Sequence, residues 1–286
     1  MKSVLILGSN GMLGSAVTNN FEGDGNFRVL TLNRQSKVGG TQFDAKNESS
    51  LIQIRSLEPD WIINCVGVIK PHIDEKNPES VKNAFSVNAN FPRELNTIAK
   101  ETNSRIIQIA TDCVFSGSRG QYLEKDIHDP VDIYGVSKSQ GEIESENFMN
   151  IRCSIVGPDS RSQLSLLEWF LSQEENSTIT GYLDHFWNGV TTDAFARICI
   201  GIIKNDFFEP GTHHQVPADS LSKAKLLELF QAKFGRDDLK INQIATGDAI
   251  NRTLKTLNPE GNRERWLAAG YSDIPKIKDL IDNLQV

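Results

Sequence analysis

No stretch of this 286-residue sequence approaches the run of about eighteen apolar residues that a membrane-crossing helix needs. The N-terminal MKSVLILGSN is too short in apolar residues for a secretory leader and runs straight into glycines. Basic residues are in deficit: 30 Lys and Arg face 37 Asp and Glu, giving a net charge of -7 and a pI near 5.3. That balance argues against a general nucleic-acid surface, which needs a basic patch to displace counterions. It leaves room for a small anionic ligand, because backbone N–H groups can bind one on an acidic protein. Cysteine is scarce as well. Cys65, Cys113, Cys153 and Cys199 are widely spaced, with no zinc spacing among them, and three sit in apolar runs where buried reduced thiols are common. No metal site, internal repeat or low-complexity linker is expected. These absences describe a soluble, reduced, cytoplasmic protein without a membrane or nucleic-acid partner, and 38% hydrophobic content is enough for one large domain or two smaller ones.

What is present is alternation. SVLILG (3–8) is a continuous apolar run suited to a buried parallel strand, followed by a helical pattern over 11–21. FRVLTL (27–32), DWIINCV (60–66), RIIQIA (105–110) and NIRCSIV (150–156) read as further strands. Helical patterns over 47–57, 78–101 and from Tyr134 lie between them. Strand and helix in turn predict an α/β fold, a Rossmann-type doubly wound parallel sheet. After Gly157-Pro158 the pattern becomes mixed, with helices over about 163–173, 191–204, 220–234 and 274–284 and short strands such as HHQVP. The expected organisation is a dinucleotide-binding domain over 1–157 and a smaller substrate-binding region over 158–286, with a segment around 187–206 returning to the first sheet.

Two local patterns carry chemistry. GSNGMLG places Gly8, Gly11 and Gly14 between the first strand and first helix, where glycine permits a tight turn, close approach to a pyrophosphate and close helix packing. The spacing is one residue longer than G-x-G-x-x-G, and an ordinary glycine-rich turn is the alternative. At the end of the second strand stand Asn33 and Arg34, where an acidic residue would favour NAD and an arginine NADP. NADP is the expected cofactor, NAD the less favoured, and a solvent-facing Arg34 the plain alternative. Asp44 falls where a carboxylate accepts from an adenine amino group, or where it caps the next helix. The second pattern is DPVDIYGVSKSQGE, in which Tyr134 and Lys138 stand on one helix face. Either they are a solvated pair, or the lysine serves the tyrosine.

GSNGMLG, NCVGVIK, ATDCVFSG and IYGVSK together resemble the extended short-chain dehydrogenase/reductases, specifically the dTDP-4-dehydrorhamnose reductase type, over about the first 160 residues. WNGVTTDAFARI and INRTLKTLNP are similar in kind, with lower specificity, to that family's later segments. The resemblance implies NADPH-dependent reduction of a nucleotide-bound 4-keto-6-deoxyhexose for surface polysaccharide synthesis. It implies that Tyr134 is the proton donor, that Lys138 holds the cofactor ribose and lowers the tyrosine pKa, and that Thr111 gives a second hydrogen bond to the carbonyl oxygen. Asn10, Met12, Leu13, Val66 and Gly67 would join the glycines against the cofactor, and Asp112, Cys113, Trp187 and Arg252 would face the sugar nucleotide. Arg252 is the choice for the diphosphate, with a surface arginine as the alternative, and Trp187 stacks on a base or sugar or belongs to the core. The family usually has Tyr where Cys113 stands. A small residue making room for the sugar is favoured there over a base that epimerises beside the ketone, the route to a combined epimerase and reductase. His185, His213 and His214 are read as structural. A non-catalytic relative, the regulatory subunit of methionine adenosyltransferase, supplies the other class of reading. A homodimer is common in the family, and the oligomeric state stays open.

Overall fold

The structure is a computed structural model that describes residues 1–35, 37–38, 41–159 and 164–285. β1 (Lys2–Leu7), α1 (Met12–Asp24) and β2 (Phe27–Leu32) open the chain. A short hairpin of β3 (Lys37–Val38) and β4 (Thr41–Gln42) and then α2 (Glu48–Leu57) precede β5 (Trp61–Asn64). α3 (Pro78–Phe85) and α4 (Phe91–Thr102) lead to β6 (Arg105–Ala110), and α5 (Ile133–Gln140) leads to β7 (Phe148–Arg152). The second part contributes β8 (Ile155–Val156), α6 (Leu166–Leu171), β9 (Thr178–Tyr182), β10 (His185–Trp187), β11 (Val190–Thr191), α7 (Thr192–Asn205) and β12 (Gly211–His214). β13 (Leu221–Ser222), α8 (Lys223–Phe234), β14 (Lys240–Ile244), β15 (Ile250–Asn251), α9 (Pro259–Ala268) and α10 (Ile277–Asp282) complete it.

Six strands form one parallel sheet in the order β12-β7-β6-β5-β1-β2. Alternate residues of a strand point to opposite faces, and both faces here are apolar. Val4 and Ile6 meet Val17 and Phe21 of α1, Phe195 and Ile202 of α7 and Trp266 of α9, whereas Leu5 and Leu7 meet Ile54 of α2 and Leu95 and Ile98 of α4. Each of these strand residues is fully buried, contributing about 1.5–3 kcal/mol. A separate core joins Leu167 and Phe170 of α6 to Leu226 and Phe230 of α8 and Ile277 of α10.

Two predicted elements come out differently. The strand expected over 150–156 leaves the main sheet after Arg152, and Ile155–Val156 pair instead with Val190–Thr191. The reason is local: the Ser154 carbonyl accepts from Val190 N (2.8 Å) and its hydroxyl oxygen accepts from Trp187 Nε1–H (2.8 Å), which steers the chain off the sheet. The long helix expected over 78–101 is interrupted by a π turn at Ser86–Asn90. Pro92, which lacks an N–H, cannot continue the regular ladder, and the turn swings Asn88 inward. The predicted helix over 163–173 begins on a residue outside those described, and its described part is α6.

Candidate active site

The glycine turn sits where β1 meets α1. Gly8 has φ +77°, a backbone shape that favours glycine, and its N–H donates to Leu32 O at 2.8 Å. A Cβ on Gly14 would lie 2.0 Å from Gly8 O, so α1 packs directly on the turn. Gly11 is the N-cap of α1 and offers no side chain to the helix amides. Met12 opens that helix and Leu13 is buried behind it. A Cβ on Gly8 would come within 3.2 Å of Val66 N, so the turn also abuts the segment after β5, where Gly67 is exposed. Bare amides at the head of a helix, beside backbone that no side chain crowds, fit a pyrophosphate. Asn33 donates to Ser9 Oγ (2.9 Å), which ties the end of β2 to this turn; Asn10 reaches Gln35 Oε1 at 3.2 Å, and Arg34 is exposed beside them. Asp44 accepts from Lys46 N (2.9 Å) in the turn before α2, whose N-cap is Asn47 rather than Asp44.

The second cluster lies at the end of β6. Thr111 is buried, accepts from Cys113 N (3.2 Å) and donates to Asp112 Oδ1 (3.3 Å), and the Tyr134 side chain lies beside it. A Cβ on Gly135 would stand 2.2 Å from Cys113 O, which shows how closely α5 packs on this loop and why tyrosine and threonine meet. Asp132 caps α5, accepting from Gly135 N at 2.8 Å, and forms an ion pair with Lys70 at 2.8 Å. One turn along the helix, Lys138 is buried and donates to Ile109 O at 2.9 Å.

The electrostatics correct one expectation. The Tyr134 phenol is raised, not lowered: burial is the first cause, and the nearby Cys113, Asp112 and Asp132 add to it against the opposing influence of Thr111. The phenol therefore stays protonated. Lys138 is itself brought down to about 8 by burial, with Glu142 opposing. Cys113 is pushed up to about 12, by burial first and then by Asp112, with Arg252 opposing. Asp112 is raised by burial against the pull of Lys223 and Arg252. Arg252 thus belongs to this cluster, held by its Nε–H to Phe115 O at 2.9 Å. Trp187 lies at the end of a strand and is only 4% exposed. Its Nε1–H is used by Ser154, and Lys223 stands over its ring at 5.7 Å, so protein covers the face that a base or sugar would need.

Three contributors were not visible in the sequence. Asn88, brought in by the π turn, accepts from Val68 N (2.8 Å) and donates to Val68 O (2.9 Å) and to Ser137 Oγ (3.0 Å), clamping the segment after β5 to α5. Arg152 is buried and binds Glu142, with its remaining N–H groups on His214 Nε2 (2.7 Å) and His128 Nε2 (2.8 Å). His214 has a structural partner in that network, while His213 turns to Glu209 O at 3.0 Å and His185 stacks on Tyr182. The third is Lys223. Among the described residues no group of three or more His, Cys, Asp or Glu side chains is arranged for a metal, and no helix is long and apolar enough to cross a membrane.

A doubly wound parallel sheet, with a glycine turn at its first crossover and Tyr134 and Lys138 on the helix that follows the loop at the end of β6, is the arrangement of the extended short-chain dehydrogenase/reductases. Residues 1–275 match the RmlD substrate binding domain, and the chain belongs to that family. A dTDP-4-dehydrorhamnose reductase of Aggregatibacter actinomycetemcomitans is 33% identical over 144 residues, 50% of this chain and 46% of that protein, so the match spans about half the relative's length. Methionine adenosyltransferase 2 subunit beta of Bos taurus is 24% identical over 236 residues, 79% of this chain and 70% of that one. Among solved structures, a dTDP-4-dehydrorhamnose reductase of Bacillus anthracis in complex with NADP superposes with a TM-score of 0.78 at 17% identity, covering 99% of this chain and 98% of that one. The Bordetella bronchiseptica enzyme WbmG in complex with NAD gives 0.75 at 15% identity, covering 99% and 92%.

Proposed function

We propose that this protein is an NADPH-dependent reductase of the 4-keto group of a nucleotide-activated 4-keto-6-deoxyhexose, acting in the cytoplasm in the synthesis of a surface polysaccharide. The observation that carries the reading is the close packing of α5 on the Thr111–Cys113 loop, which sets Tyr134 beside Thr111 with the buried Lys138 one turn away. Gly8, Gly11 and Gly14 with the amides of α1 would hold the cofactor pyrophosphate, Asn33 and Arg34 its 2′-phosphate end, Asp44 the adenine, and Lys138 the nicotinamide ribose. NADPH, when bound, supplies the hydride. Tyr134 then gives its proton to the carbonyl oxygen, a task suited to a phenol that burial keeps protonated, and Thr111 steadies the charge on that oxygen with a second hydrogen bond. Cys113, with its thiol pushed up to about 12, holds its proton at neutral pH, which favours plain reduction over epimerisation.

A nucleotide-binding regulatory subunit is the second reading, favoured by the resemblance to methionine adenosyltransferase 2 subunit beta over 79% of the chain. The intact Thr111, Tyr134 and Lys138 weigh against it. NADPH oxidation across a panel of nucleotide 4-keto sugars tests the two. Turnover that disappears in Tyr134→Phe supports the reductase. No turnover on any substrate, together with capture of a methionine adenosyltransferase from extract, supports the subunit.

A further inference from the structure

Lys223 opens α8 directly after β13 and lies over the Trp187 ring at 5.7 Å. Because β13 and β15 flank β10, Lys223 and Arg252 each follow a strand paired with the one that carries Trp187. Its charge is felt by Asp112 and Cys113, and Arg252 is close enough to repel it. Its ammonium makes no hydrogen bond and no ion pair with any described residue. Among the described residues Arg252 likewise has no ion-pair partner, and its hydrogen bond there, through Nε to Phe115 O, does not use the terminal nitrogens of the guanidinium. Among the described residues Asp112 faces both cations, and burial works against its ionisation; Asp132 also faces Arg252 but is already paired with Lys70. A partly buried ammonium without a counterion is costly, and a protein that keeps two cations on one wall has a surplus of positive charge there. That surplus is not spent on the neighbouring nucleophile, because the Cys113 thiol remains protonated.

We propose that Lys223 is a substrate-binding residue that forms, with Arg252, a two-cation cradle for an oxyanion of the nucleotide sugar. The oxyanion is either a phosphate of the nucleoside diphosphate or a carboxylate on the sugar. The proposal rests on the reading above only in taking a nucleotide sugar as the occupant. Trp187, fixed by Ser154, is the floor that aims the lysine. Methionine at 223 keeps an apolar stem on that floor and removes the charge.

Calorimetry on the full chain with dTDP, UDP, GDP and ADP, and with the matching uncharged nucleosides, reads the cradle without turnover. Lys223→Met is expected to bind the preferred diphosphate at least about tenfold more weakly, Lys223→Arg to recover most of the loss, and nucleoside and NADPH affinities to stay unchanged. If the diphosphates bind Lys223→Met and parent alike, KM for neutral and for acidic 4-keto sugar nucleotides is compared, and a loss confined to the acidic ones assigns the cradle to a sugar carboxylate. Equal behaviour of Lys223→Met and parent toward every ligand, the diphosphates and the acidic 4-keto sugar nucleotides alike, overturns the proposal. Should Lys223→Met unfold, Lys223→Gln replaces it under the same criteria. Diphosphate binding that depends on Lys223, without NADPH oxidation on any 4-keto sugar, would leave the cradle standing and remove the reductase reading.

Discussion

Replacing Lys138 with methionine is expected to stabilise the protein while it abolishes turnover. The lysine is 8% exposed, and burial brings it from 10.5 down to about 8. At about 1.4 kcal/mol per pKa unit, that displacement corresponds to about 3 kcal/mol against the charged folded state. Below pH 8 the lysine is charged in both folded and unfolded chains, and the full cost is present. Between 8 and 10.5 the unfolded chain binds the extra proton, so the parent gains stability as pH rises, and above 10.5 the cost is gone. Methionine removes this cost and also removes the hydrogen bond to Ile109 O, a loss of about 1 kcal/mol. At pH 7 the variant should therefore be more stable by roughly 2 kcal/mol. By about pH 9.5 more than half of the charge contribution should have faded, bringing the two proteins level. Urea unfolding of both proteins at pH 7, 8.5 and 9.5 measures the gap, and titrations common to both cancel in the difference. A gap that does not change with pH would refute the reasoning, since burial of the ammonium would then not be what sets Lys138.

Tyr134→Phe should keep the fold and NADPH affinity and lose turnover by roughly a hundredfold or more, whereas activity within a few-fold of the parent removes the tyrosine as proton donor. Arg34→Ala should weaken NADPH binding by about 1.5–3 kcal/mol and leave NADH nearly untouched, as read by titration of both cofactors; equal losses would contradict a 2′-phosphate contact. Product formed in deuterium oxide with protiated NADPH should carry no deuterium at C3 or C5, because Cys113 holds its proton. Deuterium there that disappears in Cys113→Ser would instead establish an epimerising base.

The glycine turn between β1 and α1 and the Tyr134–Lys138 helix face are legible in the sequence because their signals are local. The glycines lie within one turn and helix, and Tyr134 and Lys138 share a helix face, so spacing alone says what is near what. The apolar runs of β1, β5 and β6 likewise announce strands buried on both faces. Asn88 was hidden because a π turn inside a helical pattern leaves no trace in its periodicity. Lys223 was hidden because a lysine at the start of an amphipathic helix looks like any solvated one until Trp187, thirty-six residues earlier, is known to lie beneath it. The direction of the Tyr134 shift was misjudged for a similar reason. Sequence shows the lysine one turn away, but not the burial and the acidic neighbours that raise the phenol.

The way the sheet is covered has a consequence for how the chain is born. Val4, Ile6, Trp61, Ile63, Ile107 and Met149 form one apolar face of the sheet, and besides α1 the side chains closing it include those of α7, Trp266 of α9 and Leu280 of α10. A ribosome releasing the chain at roughly 5–20 residues per second finishes β7 on the order of ten seconds before Trp266 is made. For that interval the nascent protein has a nearly complete sheet with an uncovered greasy flank and an open edge where β12 will pair. Emergence from the ribosome is thus a stage at which this apolar face and this strand edge lie open to aggregation.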